Sequence, residues 1–340
     1  MHYFLTGHTG FKGSWLIALL KAKGHTVSGY SFPAEPGGLF AEAQMEQDLE
    51  HHTIGDIRDL ENLKQSLSIA QPDVVIHLAA QPLVLRSYED PVETYTTNVN
   101  GTLNLLQAVT ELKTQPVTLV ITTDKVYRDT GKGSYSEEDA LGGHDPYSAS
   151  KAMADILTQS WAATHPELRL HVARAGNVIG AFDVSKDRLI PDIRRALNAN
   201  QPLIIRNPAA VRPWQHVLDC LSGYLMFVEA ALRGDDLPVA MNFGPDPDAM
   251  KTVGEVAALA EKFEPTLALE TLNSSSPKET AFLTLDSNQA HKLLGWKNSI
   301  CFASSVEMSL MSIADDARVN STKNISTYLN LQIGEGMLGV

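Results

Sequence analysis

A short apolar run over residues 2–6 leads straight into Thr6-Gly7-His8-Thr9-Gly10-Phe11-Lys12-Gly13, and a helical pattern starts at once over 11–23. Trp15, Leu16, Leu19 and Leu20 recur at helical spacing in that stretch. Glycines at 7, 10 and 13 between a strand and a helix meet three geometric needs. One permits the tight turn, one lets backbone N–H groups approach a pyrophosphate, and one lets the helix pack closely on the sheet. The helix N-terminus then favours the phosphate charge. This loop predicts a parallel α/β fold with a dinucleotide site at its first crossover.

The rest of the first half agrees. Strands are expected at 26–30, 73–80, 117–123 and 170–175, and helices at 60–69, 91–112 and 146–165. The run 73–80 is apolar throughout, as expected for a strand covered on both faces. Such β-α-β-α order predicts a Rossmann-type, doubly wound parallel sheet with right-handed crossovers and its ligands at the carboxyl ends of the strands. Residues 32–50 read as irregular, with turn signals at Pro33, Pro36, Gly37 and Gly38. Residues 1–175 are therefore expected to form the nucleotide-binding domain, with 237–246 returning to its sheet. Residues 176–236 and 247–340 are expected to form a smaller mixed substrate-binding lobe, with a helix over 252–264 and a loop at 273–276. The last 25 or so residues show weak periodicity.

Composition excludes several classes. At 340 residues the chain is long enough for a large core, so no disulfide or metal is called for. Forty acidic residues against 27 Lys and Arg give a net charge of −13, which argues against a nucleic-acid partner. Two cysteines, Cys220 and Cys301, fit a reducing cytoplasm. The beginning of the chain lacks a basic n-region and does not read as a signal peptide. No stretch reaches the roughly 20 apolar residues of a membrane span.

The candidate chemistry follows the strands. Tyr147-Ser148-Ala149-Ser150-Lys151 puts a phenol and an ammonium one helical turn apart on one face. A neighbouring cation favours the phenolate, so Tyr147 can act as a base, while Lys151 can also hold a cofactor ribose. Thr123, at a strand end, can hydrogen-bond the same substrate hydroxyl. Asp124 and Lys125 add two titratable groups directly after it. In Gly55-Asp56-Ile57-Arg58, Asp56 can accept from an adenine amino group and Ile57 can pack on the ring. Asn98, on the long helix, can orient Tyr147 or a sugar. Asn177, Arg188 and Arg212 can bind phosphate, the arginines bidentately. Trp214 and His216 can either pack near a substrate or simply fill the core, and Arg86 can either line a sugar pocket or form a surface ion pair. Leu103, Leu106, Val109, Met153, Ile156 and Leu157 can supply a homodimer interface on helices 91–112 and 146–165.

The glycine loop, His77-Leu78-Ala79-Ala80, the strand-end Thr123 and Tyr147-x-x-x-Lys151 together resemble the extended short-chain dehydrogenase/reductase family. Further motifs resemble its nucleotide-sugar 4,6-dehydratases: 77–83 (HLAAQPL), 122–127 (TTDKVY), 174–179 (RAGNVI), 187–192 (DRLIPD) and 206–219 (RNPAAVRPWQHVLD). The resemblance implies NAD as cofactor, held by Gly7, Thr9, Gly10, Phe11, Lys12 and Gly13, by Leu78, Ala79, Ala80 and Gln81, and by Tyr147 and Lys151. It implies a nucleotide-sugar substrate, CDP-glucose being favoured. C4 would be oxidised, water lost across C5–C6 and hydride returned to C6. The resemblance assigns Asp124 as the acid for the departing hydroxyl. Lys125 stands where other such enzymes carry a glutamate base, a role that calls for a neutral amine. Alternatives are a 4,6-dehydratase or 4-epimerase acting on another nucleotide sugar, and a catalytically inactive NAD-binding regulator. Two departures from the family stand out. Tyr30-Ser31 ends the second strand without the acid that often holds the adenine ribose, and Ala181-Phe182-Asp183-Val184 replaces a more glycine-rich, tryptophan-bearing loop.

Overall fold

The computed structural model describes residues 1–271, 283–310 and 316–336. The loop expected at 273–276 lies outside the described residues. Seven parallel strands form the main sheet: β1 (His2–Thr6), β2 (Thr26–Ser31), β3 (His51–Ile54), β4 (Val74–His77), β5 (Val117–Thr123), β6 (Leu170–Ala175) and β7 (Ala240–Phe243). Their spatial order is β7-β6-β5-β4-β1-β2-β3. The order reverses between β1 and β4, which is where an open α/β sheet opens a crevice for a ligand.

The glycine loop sits at that point. Gly7 has φ +73°, and a Cβ there would lie 2.7 Å from the Ala79 N beyond β4. At Gly13 a Cβ would lie 2.3 Å from Gly7 O and 2.6 Å from His8 Cα. The first helix, α1 (Phe11–Ala22), can therefore reach the sheet only through glycine. It buries Trp15, Leu16, Leu19 and Leu20, the residues its spacing singles out.

Helix α2 (Leu60–Ala70) starts at Asp59, whose side chain accepts from Asn62 N. The expected helix over 91–112 is three pieces: Pro91–Tyr95, one wide π turn Thr96–Asn100, and α3 (Gly101–Thr110). Gly101 lets α3 close on Ile57, since a Cβ there would meet Ile57 Cγ2 at 2.6 Å. Helix α4 (Pro146–Thr164) begins where its sequence dictates. Asp145 caps Ser148 N at 2.9 Å, and Pro146 occupies the first turn, where its missing N–H costs nothing. Tyr147 is thereby held in the first turn of α4.

Several elements differ from expectation. Strand β3 was not expected, because His51-His52-Thr53-Ile54 lacks a period-two apolar signal. The strand expected over 73–80 leaves the sheet after His77. The stretch read as irregular contains the helix Leu39–Glu42 and a 3₁₀ turn Met45–Asp48. The weakly periodic tail is a helix, Ala317–Gly336, that buries Ile325 and Tyr328 against the core containing α1. Helix α6 (Val217–Arg233) lies in the segment read as lobe. Its buried residues, Leu218, Leu221, Tyr224 and Phe227 among them, belong to the core under the main sheet. A separate core forms where α5 (Leu189–Ala199) packs with Trp214, Val256 and Ala260. Among the described residues, no helix is long and apolar enough to cross a membrane.

Gly13→Ala is expected to destabilise the protein by about 2–3 kcal/mol, because the methyl meets backbone atoms that cannot rotate away. Gly10→Ala meets only Gly7 O, at 3.3 Å, and should cost less. Denaturant unfolding of both variants checks the order; equal losses would contradict it.

Candidate active site

The strand-end residues and the first turns of α4 meet beyond β5 and β6. Thr123 and Asp124 are buried, at 6% and 3% exposure. Thr123 Oγ1 donates to Asp124 Oδ1 at 2.7 Å, and Lys125 Nζ lies 3.4 Å from the same oxygen. The other Asp124 oxygen faces Gly176, where a Cβ would stand 3.4 Å away. Tyr147 is half-buried. Lost hydration pushes its phenol up; Lys125, a hydrogen bond with Thr123 and Arg188 act the other way, while Asp124 adds to the rise. The leading cationic influence on Tyr147 is therefore Lys125, where the sequence pointed to Lys151.

Lys151 is buried, and its Nζ donates to Ile121 O at 2.9 Å. Burial, with Lys12 beside it, lowers this ammonium to about 8, while Asp155 works to raise it. Below it, His77 bridges Thr6 Oγ1 at 2.7 Å and Thr102 Oγ1 at 3.2 Å, and burial pushes its imidazole down to about 3, so it is neutral.

The loop residues divide by role. No side chain caps the first turn of α1, which leaves that end of the helix suited to an anion. The glycine cradle and this uncapped turn fit a dinucleotide pyrophosphate. Thr9 serves the loop itself, with its hydroxyl 2.8 Å from Ser31 Oγ and donating to Phe32 O. Phe11 packs against the core and faces Gly180. Lys12 Nζ donates to Tyr224 Oη at 3.1 Å. Ala79 N donates to Thr6 Oγ1 at 3.2 Å, which fixes the turn through Leu78, Ala79 and Ala80 beside the loop.

Other expected ligands are already engaged. Asp56 makes a 2.5 Å ion pair with Arg58, whose hydrogen bond holds the carboxyl below its usual range. Ile57 is 4% exposed and packs beneath α3. Asn98 is buried, at 1% exposure. Its Oδ1 accepts from Gln81 N at 2.8 Å, and its Nδ2 donates to Gln81 O and to Ser150 Oγ. It ties the turn after β4 to α4 and does not bond Tyr147. The Gln81 side chain is likewise used internally, on Leu83 O and Thr94 Oγ1.

On the lobe side, Arg188 lies 3.4 Å from Asp183 and acts electrostatically on Tyr147. Arg212 lies in the strand Val211–Pro213, and its Nη1 donates to Val211 O. Asn177 sits between β6 and the short strand Val178–Ile179. Trp214 is a core residue of the lobe and donates to Lys251 O. His216 is also buried and accepts from Leu218 N at the start of α6. Arg86 forms an exposed bidentate pair with Glu93, at 2.8 Å for both bonds. Arg86 is thus in a surface ion pair, and Trp214 and His216 are buried. Sequence reasoning missed Asp155, although it lies one helical turn after Lys151.

A family model described as the NAD dependent epimerase/dehydratase family matches residues 3–242. CDP-glucose 4,6-dehydratase of Salmonella typhimurium is 42% identical over 305 residues, covering 86% of this chain and 85% of its own. A dTDP-glucose 4,6-dehydratase of Xanthomonas campestris is 27% identical, covering 91% of this chain and 92% of its own. In fold, the chain is similar to UDP-glucuronic acid 4-epimerase of Bacillus cereus, solved with UDP-glucuronic acid and NAD. The TM-score is 0.78 at 23% identity, over 92% of this chain and 99% of that one. With its parallel sheet, its glycine loop and these matches, the chain belongs to the NAD-dependent epimerase/dehydratase family.

Proposed function

We propose that this chain catalyses the NAD-dependent 4,6-dehydration of CDP-glucose to CDP-4-keto-6-deoxyglucose. The observation that carries the reading is the joint placement of Asp124 and Lys125 beside Thr123 and Tyr147. A 4-epimerase has no leaving 6-hydroxyl and so no use for an acid there. The 42% identity to the Salmonella enzyme supports the base and the sugar.

The chemistry that NAD supplies when bound is reversible hydride storage. Gly7, Gly10 and Gly13 would hold its pyrophosphate, and Lys151 its nicotinamide ribose. Tyr147 takes the O4 proton while Thr123 hydrogen-bonds that oxygen, and C4 becomes a ketone as its hydride is given up for storage. The resulting 4-ketone acidifies C5–H, and Lys125, made neutral by passing its proton to Asp124 3.4 Å away, removes that proton. Asp124 protonates the departing 6-hydroxyl, and the C5–C6 double bond left behind takes back the stored hydride at C6 and a proton from Lys125 at C5. Arg188, Arg212 and Asn177 hold the substrate phosphates. Such a product feeds deoxysugar synthesis for surface polysaccharide, and the reaction is cytoplasmic.

A homodimer through helices 91–112 and 146–165 accompanies this reading. Leu103, Met153 and Ile156 are 38%, 48% and 51% exposed, an apolar patch that a second copy would cover. Leu106 and Val109 are buried in the subunit's own core, and Leu157 packs against it, so the face is narrower than the sequence suggested.

Incubation with NAD and CDP-, UDP-, GDP- or dTDP-glucose, followed by NMR, should give a 4-keto-6-deoxy sugar from CDP-glucose alone. Asp124→Asn should lower kcat by about 10²-fold or more. Turnover of a different nucleotide overturns the substrate, and formation of a C4 epimer overturns dehydration. Ile156→Asp with Met153→Asp should convert a dimer into a folded monomer by analytical ultracentrifugation; an unchanged sedimentation coefficient contradicts the interface.

A further inference from the structure

One group of buried polar residues has no part in the proposed chemistry. Asp155 is fully buried and lies one helical turn beyond Lys151 and two beyond Tyr147, on the same face of α4. Its carboxylate accepts four hydrogen bonds from three elements. Thr122 Oγ1 on β5 donates at 3.0 Å, Gln159 Nε2 on α4 at 2.7 Å, and Arg174 on β6 through Nε at 2.8 Å and Nη2 at 2.9 Å. Arg174 is 1% exposed. Its Nη1 donates to Tyr127 Oη at 2.8 Å, and that hydroxyl donates to Asn242 Oδ1 on β7 at 2.7 Å. Tyr127 stands three residues after Asp124. One connected set thus joins the segment carrying Asp124 and Lys125, the helix carrying Tyr147 and Lys151, and the edge of the sheet.

A buried ion pair is a weak source of net stability, since apolar residues of similar volume often serve as well. It does supply a fixed register and a fixed charge. We propose that Asp155, clamped by Arg174, is a positioning residue that sets the place of Lys151 and Tyr147 over the strand ends. The proposal rests on the roles given above to Lys151 and Tyr147.

The groups facing Lys151 support it. Lys12 comes from α1 and His77 from β4, while Asp155 is on its own helix. Burial and Lys12 depress the ammonium, and Asp155 opposes them. In the proposed reaction the ammonium is the working form. The Lys151 contribution to activity is then full below its value of about 8 and is lost as pH rises through it. Without the Asp155 charge, Arg174 and Lys12 remain as uncompensated cations, and the ammonium is lost at lower pH.

The test is Asp155→Asn, with kcat, KM and the pH profile of kcat measured on the NAD-loaded enzyme. The expected result is an alkaline limb moved down by about one pH unit or more, with kcat falling and KM nearly unchanged. Arg174→Lys keeps both charges and loses the bidentate grip. It should lower kcat by about 10-fold with the limb in place, and it decides the matter if Asp155→Asn does not fold. Folded variants with the parent's kcat and limb, whatever their melting temperature, overturn the proposal. NMR titration of 13C-labelled lysine side chains reads Lys151 without turnover. If the parent turns over no nucleotide sugar yet Lys151 titrates lower in Asp155→Asn, the proposed function fails and the coupling of Asp155 to Lys151 stands. An unmoved Lys151 titration overturns that coupling.

Discussion

At the switch point of the sheet, backbone packs directly on backbone, where Gly7 meets Ala79 and Gly13 meets Gly7. No side chain larger than hydrogen fits at either position without moving a strand or a helix. The contact brings the start of α1, the turn after β4 and the ends of β1 and β2 to one point. Thr6, His77, Thr102 and Ala79 then close a buried polar layer beneath it. A cofactor cradle at the switch point follows from packing that the glycines alone permit.

The groups proposed to react depend on a second layer. Lys151 would place a bare ammonium in a buried site beside Lys12, an arrangement that loss of hydration and like charge both oppose. The Ile121 carbonyl and the Asp155 charge offset that cost. Tyr147 has a parallel problem, since burial favours its phenol. The cations that oppose this, Lys125 and Arg188, come from the strand-end turn and the lobe rather than from its own helix. The site therefore requires both parts of the chain in place before its proton chemistry can run.

The sheet and the site centre were legible because they rest on local signals. A strand-loop-helix with three glycines is visible in eight consecutive residues, and Tyr147 and Lys151 share a helix face by spacing alone. The missed features rest on distant partners. Asn98 reads as a cleft residue until Gln81 and Ser150 are seen to occupy all of its side-chain polar atoms. Strand β3 has no apolar alternation, and its pairing with β2 supplies what its sequence lacks. The helix Ala317–Gly336 is held by Ile325 and Tyr328 in the core and by Arg318 on Asp48 and on the Ala43 carbonyl, about 270 residues away, partners that no local pattern announces.

In the proposed reaction one site oxidises C4, eliminates water across C5–C6 and returns the same hydride to C6. CDP-glucose carrying deuterium at C4 tests this most directly. The expected result is a 4-keto-6-deoxy product with that deuterium at C6 and a solvent-derived hydrogen at C5. Deuterium kept at C4, or lost from the sugar altogether, would contradict it.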